Sequence, residues 1–329
     1  MKEVKITGTG QYVPKNIVTN DDLSKIVDTN DEWITSRTGI KERRISQGEN
    51  TSDLAFKAGE LALKKANVSA EEIDLIIVAT LTADMLTPSV ACMVQSKLNA
   101  TKAAAFDLNA ACSGFIYALS IGTQFIKTGI YKKVLIIGAE VLSKIVNWED
   151  RSTCVLFGDG AGAVVLEESN CPGIISVDLG ADGKKGDALQ CDALPVVNPY
   201  VEKGASLIEE VKKDKYVVMD GKEVFRFATG IMADSVEKLL KQANLNKEQI
   251  KYIVPHQANF RIIDYASKKL DIAINKFYIN LDRYGNTSGA SIPIALNEMN
   301  EKEMLKKGDY IVLVGFGGGL TFGVALIQW

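Results

Sequence analysis

The chain has 329 residues, 47% of them hydrophobic and 24% charged, with a net charge of −3 and five cysteines. That balance suits a globular protein with a large core in about two domain-sized units, and it excludes a nucleic-acid binder, which needs a basic face. No apolar run reaches the ~18 residues of a membrane-spanning helix, and an odd number of cysteines without framework spacing suits a reducing cytosol, so a soluble, cytoplasmic protein with no membrane partner is expected.

In chain order, Val4 to Gly10 reads as a strand, Asp21 to Val27 and Glu32 to Ser36 as short helices, and Ser52 to Asn67 as an amphipathic helix. Ile73 to Ala79 is an unbroken apolar run, the mark of a strand covered on both faces. Pro88 opens another helix, Lys102 to Leu108 is a short buried strand, and Val134 to Gly138 is another. Strands alternating with helices predict a parallel-rich sheet with helices on its faces.

Between the second and third of these buried strands lies Asn109-Ala110-Ala111-Cys112-Ser113-Gly114, a turn of small residues. Phe115, Ile116, Leu119, Ile121, Phe125 and Ile126 then recur at helical spacing until Gly129. Cys112 therefore stands at a helix N-terminus, where unpaired backbone N–H groups and the helix dipole can lower a thiol pKa from about 8.5. Most free cysteines are merely small buried hydrophobes. The other four serve as controls: Cys92, Cys154, Cys171 and Cys191 open no helix behind such a turn.

The second half repeats the first. Leu63 to Ile76 aligns with Leu240 to Ile253 at a shift of 177 residues, with seven of fourteen positions identical. The same shift carries Val134 to Gly138 onto Ile311 to Gly315. Gly162 to Leu166 and Gly323 to Ile327 match at a shift of 161, so the first half holds about 16 extra residues, Val141 to Phe157, as a loop or lid. Two duplicated α/β halves follow, at 1–171 and 172–329. Ligands in such sheets bind outside the carboxyl ends of strands. His256, the only histidine, ends a buried strand in Pro255-His256-Gln257-Ala258-Asn259, and Gly285-Asn286-Thr287-Ser288 lies in the strand-to-helix turn that matches the Cys112 turn. Gly317-Gly318-Gly319 adds a backbone that can turn tightly between strands or offer N–H groups to an oxyanion. No Gly-Lys-Ser/Thr follows it, and Gly8-Thr9-Gly10 is too weak for a dinucleotide fingerprint.

Together, Ala110 to Phe115, Pro255 to Asn259, Gly285 to Ser288 and Gly315-Phe316-Gly317-Gly318-Gly319 resemble the signature segments of the β-ketoacyl-[acyl carrier protein] synthase III family. The resemblance runs from the first strand to Trp329. It implies a thiolase-like αβαβα layered fold, a homodimer, and a decarboxylative Claisen condensation joining an acyl-CoA primer to malonyl-[acyl carrier protein]. By the same resemblance Cys112 is the nucleophile and His256 and Asn286 are the donors to the malonyl thioester, with the N–H groups of Cys112 and Gly318 as oxyanion hole. Trp33, Arg37, Thr38, Arg151 and Asn259 would hold coenzyme A, a substrate; no metal or other cofactor is implied. Arg261, Lys268 and Lys269 would face the acidic acyl carrier protein, although lysines on an exposed helix are commonplace.

Two departures stand out. Thr87 replaces a phenylalanine that crosses the dimer interface and floors the acyl pocket in many members, which would admit longer or branched primers. Lys184 to Val218 is long and charged, and Lys222 replaces an amide residue. A single histidine excludes ketosynthases that use two. The absence of a cysteine after Cys191 excludes thiolases with a second catalytic cysteine near the C-terminus. A polyketide-type condensing enzyme with a CoA-linked extender, a thioester hydrolase and a noncatalytic acyl-CoA binder remain as alternatives.

Overall fold

A computed structural model describes residues 2–194, 200 and 216–329. Most of the charged segment 184–218 lies outside them. The strands are β1 Glu3–Tyr12, β2 Ile17–Thr19, β3 Glu42–Arg44, β4 Leu75–Ala79, β5 Ala104–Leu108, β6 Lys133–Glu140, β7 Gly160–Ser169, β8 Ile174–Ala181, β9 Leu189–Gln190, β10 Val218–Met219, β11 Ile250–Pro255, β12 Tyr310–Gly317 and β13 Thr321–Gln328. One sheet runs β1-β7-β6-β4-β5 and another β11-β12-β13-β8; β2/β3 and β9/β10 are short ribbons.

The repeat is visible strand by strand. β4 is parallel to β6, β6 antiparallel to β7 and β7 to β1, just as β11 is parallel to β12, β12 antiparallel to β13 and β13 to β8. In the place of β5, which lies parallel beside β4, the second half makes a single parallel bridge between Ile253 and Phe277. Helices Thr51–Ala66 and Gly221–Ala243 both end at a left-handed asparagine, Asn67 at φ 55° and Asn244 at φ 53°.

Five layers result, and alternation along the strands builds them. Leu75, Ile77, Val134 and Ile136 point inward, against helices Gly114–Lys127 and Ser291–Glu301, while Ile76, Val78, Leu135 and Ile137 point outward against Thr51–Ala66 and Val90–Leu98. In the second sheet Ile311 and Leu313 face the same inner helices, whereas Val312 and Val314 face Gly221–Ala243 and Phe260–Leu270. A strand buried on both faces has no polar side to alternate with, which accounts for the unbroken apolar runs.

The halves meet closely because both seam strands carry glycine. A β-carbon on Gly138 would stand 2.2 Å from Gly289 O, and one on Gly315 would stand 3.4 Å from Ser113 Cα. Each sheet thus accepts the other half's turn onto its backbone.

Boundaries depart from expectation where capping decides them. Pro88 does not open the next helix; Ser89 does, its hydroxyl accepting from Cys92 N at 3.2 Å ahead of Val90–Leu98. Asp21 to Val27 shrinks to one turn, Asn20–Leu23, in a capping box with Thr19. Val141 to Phe157 is a loop with one 3₁₀ turn, Leu142–Lys144.

Candidate active site

Cys112 sits in the 3₁₀ turn Ala111–Ser113, one step before helix Gly114–Lys127. Asn109 shapes that turn: its Oδ1 accepts from Ala111 N at 3.1 Å, holding Ala111 at φ 46°. The second half makes the same device 177 residues on, where Asn286 Oδ1 accepts from Ser288 N at 2.8 Å and Ser288 sits at φ 47°. A short polar side chain that bonds its own backbone makes the left-handed conformation affordable. The first turn delivers a thiol. The second fixes a carboxamide, and because Asn286 Oδ1 is occupied by an N–H, its Nδ2 is the free, donating end.

Gly317 backs the thiol. A β-carbon there would lie 2.6 Å from Cys112 N and 2.8 Å from Cys112 Cβ, so the end of β12 packs directly on the Cys112 backbone. Gly318 follows in the turn to β13 and lines, with Cys112, a cavity of about 1180 Å³ whose other walls include Leu142, Val146, Phe157 and Leu189.

His256 follows β11 and is 1% exposed. Its backbone N–H donates to Val314 O at 2.7 Å, and its ring meets Phe316 edge-on at 5.3 Å between centroids. Nδ1 lies 2.7 Å from Ser291 Oγ, which also accepts from Gln257 N at 3.4 Å. The Ser291 hydroxyl can give its proton to Nδ1, an arrangement that leaves the ring proton on Nε2. Asn286 is joined to the cavity wall through a parallel bridge with Phe157 and through Ser288. Sulfur, imidazole and carboxamide are thus gathered at one seam, each held by residues one to three positions from the next.

Electrostatics correct one expectation. The Cys112 thiol is not acidified by its helix: burial pushes it up to about 12, with the nearby Glu140 carboxyl adding to the rise. Removal from water outweighs a dipole that is worth only about 0.3–1 kcal/mol. Burial also pushes His256 down to about 3, so its imidazole is neutral.

The other residues sort by contact. Trp33 carries the Arg37 guanidinium 4.7 Å and the Arg151 guanidinium 5.2 Å from its ring centroid, and Arg151 also donates to Asp28 O at 2.8 Å. Asn259 caps helix Phe260–Leu270 and donates to Arg37 O at 3.1 Å. Arg261 donates to Ser36 O at 3.0 Å from Nη2. Thr38 is buried, its hydroxyl donating to Ile34 O at 2.7 Å and accepting from Ile40 N at 3.0 Å. Lys268 and Lys269 are tied to Asp264 and Asp234, each at 2.7 Å. Thr87 is exposed and lines no part of the cavity; Met85 and Leu86 do. Ser291 and Glu140 escaped the sequence reading, since one serine in a helix and one acid ending an apolar strand carry no pattern.

The whole chain superposes on solved structures. 3-Oxoacyl-[acyl-carrier-protein] synthase III from Aquifex aeolicus VF5 matches with a TM-score of 0.92 at 48% identity, covering 99% of this chain and 100% of that one. The priming β-ketosynthase of the R1128 polyketide pathway matches with a TM-score of 0.91 at 33% identity, covering 99% and 96%. Fold and site together define a thiolase-fold condensing enzyme, an acyltransferase. The family models for 3-oxoacyl-[acyl-carrier-protein] synthase III and its C-terminal part match residues 106–183 and 240–329, and the β-ketoacyl-[acyl-carrier-protein] synthase III of Clostridium novyi (strain NT) is 61% identical over the full length of both chains. The chain belongs to the 3-oxoacyl-[acyl-carrier-protein] synthase III family. No helix among the described residues is long and apolar enough to cross a membrane.

Proposed function

We propose that this chain initiates fatty acid synthesis by joining an acyl-CoA primer to malonyl-[acyl carrier protein], releasing coenzyme A and carbon dioxide. The observation that carries this reading is the seam itself: a buried thiol backed by Gly317, beside a neutral imidazole bonded at Nδ1 to Ser291 and a carboxamide whose oxygen is already occupied. In the first half-reaction Cys112 attacks the primer thioester and keeps the acyl group, while the N–H groups of Cys112 and Gly318 stabilise the tetrahedral oxyanion. In the second, Nε2–H of His256 and Nδ2–H of Asn286 donate to the malonyl thioester oxygen as carbon dioxide leaves and negative charge gathers there. A histidine held neutral suits that task, being a donor that does not give up its proton.

Coenzyme A is held as a substrate by Trp33, Arg37, Arg151 and Asn259; no cofactor is invoked. Arg261 meets the acyl carrier protein, with Lys268 and Lys269 contributing only by leaving their present ion pairs. The chain acts in the cytoplasm as a homodimer, a reading supported by β5, which pairs on one side only, and by the exposed Met85 and Leu86. Thr87, exposed beside them, is the residue that reaches the partner's acyl pocket.

Intact-mass analysis after mixing with acetyl-CoA should show one acetyl group, absent in Cys112→Ser. Condensation with malonyl-[acyl carrier protein] but not with malonyl-CoA supports the assignment; the opposite preference would favour a polyketide-type enzyme, and release of free acid without malonyl a hydrolase.

A further inference from the structure

β6 ends at Glu140, whose carboxyl is fully buried and has no cation as a hydrogen-bond partner. It accepts from Thr80 Oγ1 at 3.2 Å, from Leu81 N at 3.2 Å and from the Thr82 hydroxyl. One side of the carboxyl faces the catalytic turn. A β-carbon on Gly289 would stand 3.6 Å from Glu140 Oε1 and 3.4 Å from Ala111 O, so glycine at 289 keeps open the space between this acid and the Cys112 turn. In the same place the buried Ser288 hydroxyl stands beside both the Cys112 thiol and the Glu140 carboxyl and favours the ionised form of each. Ser288 is also one of the few non-glycine residues in the left-handed region. A non-glycine residue held in that region is a feature that concentrates at working sites.

We propose that Ser288 and Glu140 form the path by which the Cys112 thiol gives up its proton. The Sγ–H proton moves to Ser288 Oγ while the Ser288 hydroxyl proton moves to the Glu140 carboxylate. The freed sulfur then forms its bond to the acyl carbon as the bond from that carbon to the sulfur of coenzyme A breaks. Coenzyme A leaves as a thiolate and takes a proton back along the same path, which restores the carboxylate. One thiol is exchanged for another, and no oxidant or further reactant is needed.

The proposal rests on Cys112 being acylated, as argued above. It answers a difficulty that the geometry poses for His256. Burial raises Glu140 to about 7 and lowers His256 to about 3, so of the two the carboxylate is the stronger proton acceptor for the buried thiol. The titratable groups that face Glu140 are the Cys112 thiol and the Lys144 ammonium, which in turn faces Asp84 and Asp159.

Single-turnover acylation of the full-length protein by acetyl-CoA, followed by intact mass from pH 5.5 to 9, tests the path. In the native protein the rate should rise through about pH 7 to a plateau. Glu140→Gln should acylate about 100-fold more slowly and lose that step, Ser288→Ala should behave alike, and Glu140→Asp should regain part of the rate and the step. Decarboxylation of malonyl-[acyl carrier protein] should hold within a few-fold in all three. Native rates and an unchanged pH step in Glu140→Gln would overturn the path, as would equal loss in both half-reactions, the mark of mere structural damage. If Glu140→Gln does not fold, Ser288→Ala decides by the same two readings. A native protein that never acquires acetyl would instead overturn the reading of Cys112 as acyl carrier.

Discussion

His256 Nδ1 and Ser291 Oγ lie 2.7 Å apart, both buried, and this contact decides which ring nitrogen is left to face the substrate. Ser291→Ala removes the proton aimed at Nδ1 and lets the ring adopt the other tautomer. Because the chain has a single histidine, ¹⁵N spectra of the imidazole read the tautomer without assignment. The native ring should show its proton on Nε2, and Ser291→Ala should redistribute it and slow condensation about tenfold, with Ser291→Thr closer to native.

His256→Ala and Asn286→Ala should each cut malonyl decarboxylation by about 10²–10³, the loss typical for one donor to a developing oxyanion. Acylation of Cys112 should survive in both. Measuring the two half-reactions separately checks the division, and parallel losses would contradict the roles given to the two donors.

Gly317→Ala should be costly although residue 317 has an extended backbone that any residue adopts. The added carbon would lie 2.6 Å from Cys112 N, and backbone cannot swing aside as a side chain can. A loss of about 1–3 kcal/mol is expected, together with slower acylation. Thermal unfolding and intact mass give the two numbers.

Stability should depend on pH through Glu140 and His256 in opposite senses. Glu140 titrates at about 7 in the fold against 4.5 when unfolded, so its contribution is present below pH 4.5 and lost as pH rises through 7, about 3 kcal/mol in all. His256 titrates at about 3 against 6.5, so its contribution is present above pH 6.5 and lost as pH falls. Between 4.5 and 6.5 the two slopes offset. Glu140→Gln removes one of them, and its stability should climb with pH across that window where the native protein stays flatter. Urea unfolding at a series of pH values tests this.

What the letters reveal here follows from what leaves a pattern. Strands buried on both faces leave apolar runs, so β4 and β6 were readable, and the repeat at 177 residues exposed the second sheet. Cys112, His256 and Asn286 stand out as candidates in the letters because turns of small residues and strand ends have recognisable neighbours. The thiol's acidity was misjudged, since helix position is written in sequence and burial is not. Ser288, Ser291 and Glu140 acquire meaning only from contacts across the two halves, which no local spacing encodes.

Gly138 and Gly315 let each half rest its turn on the other's sheet, and the reagents are divided between the halves: sulfur from the first, carboxamide and imidazole from the second. Neither half alone owns a complete set. Any agent that pries the two apart by an ångström, before it melts a single strand, therefore disarms the enzyme while leaving its circular dichroism intact.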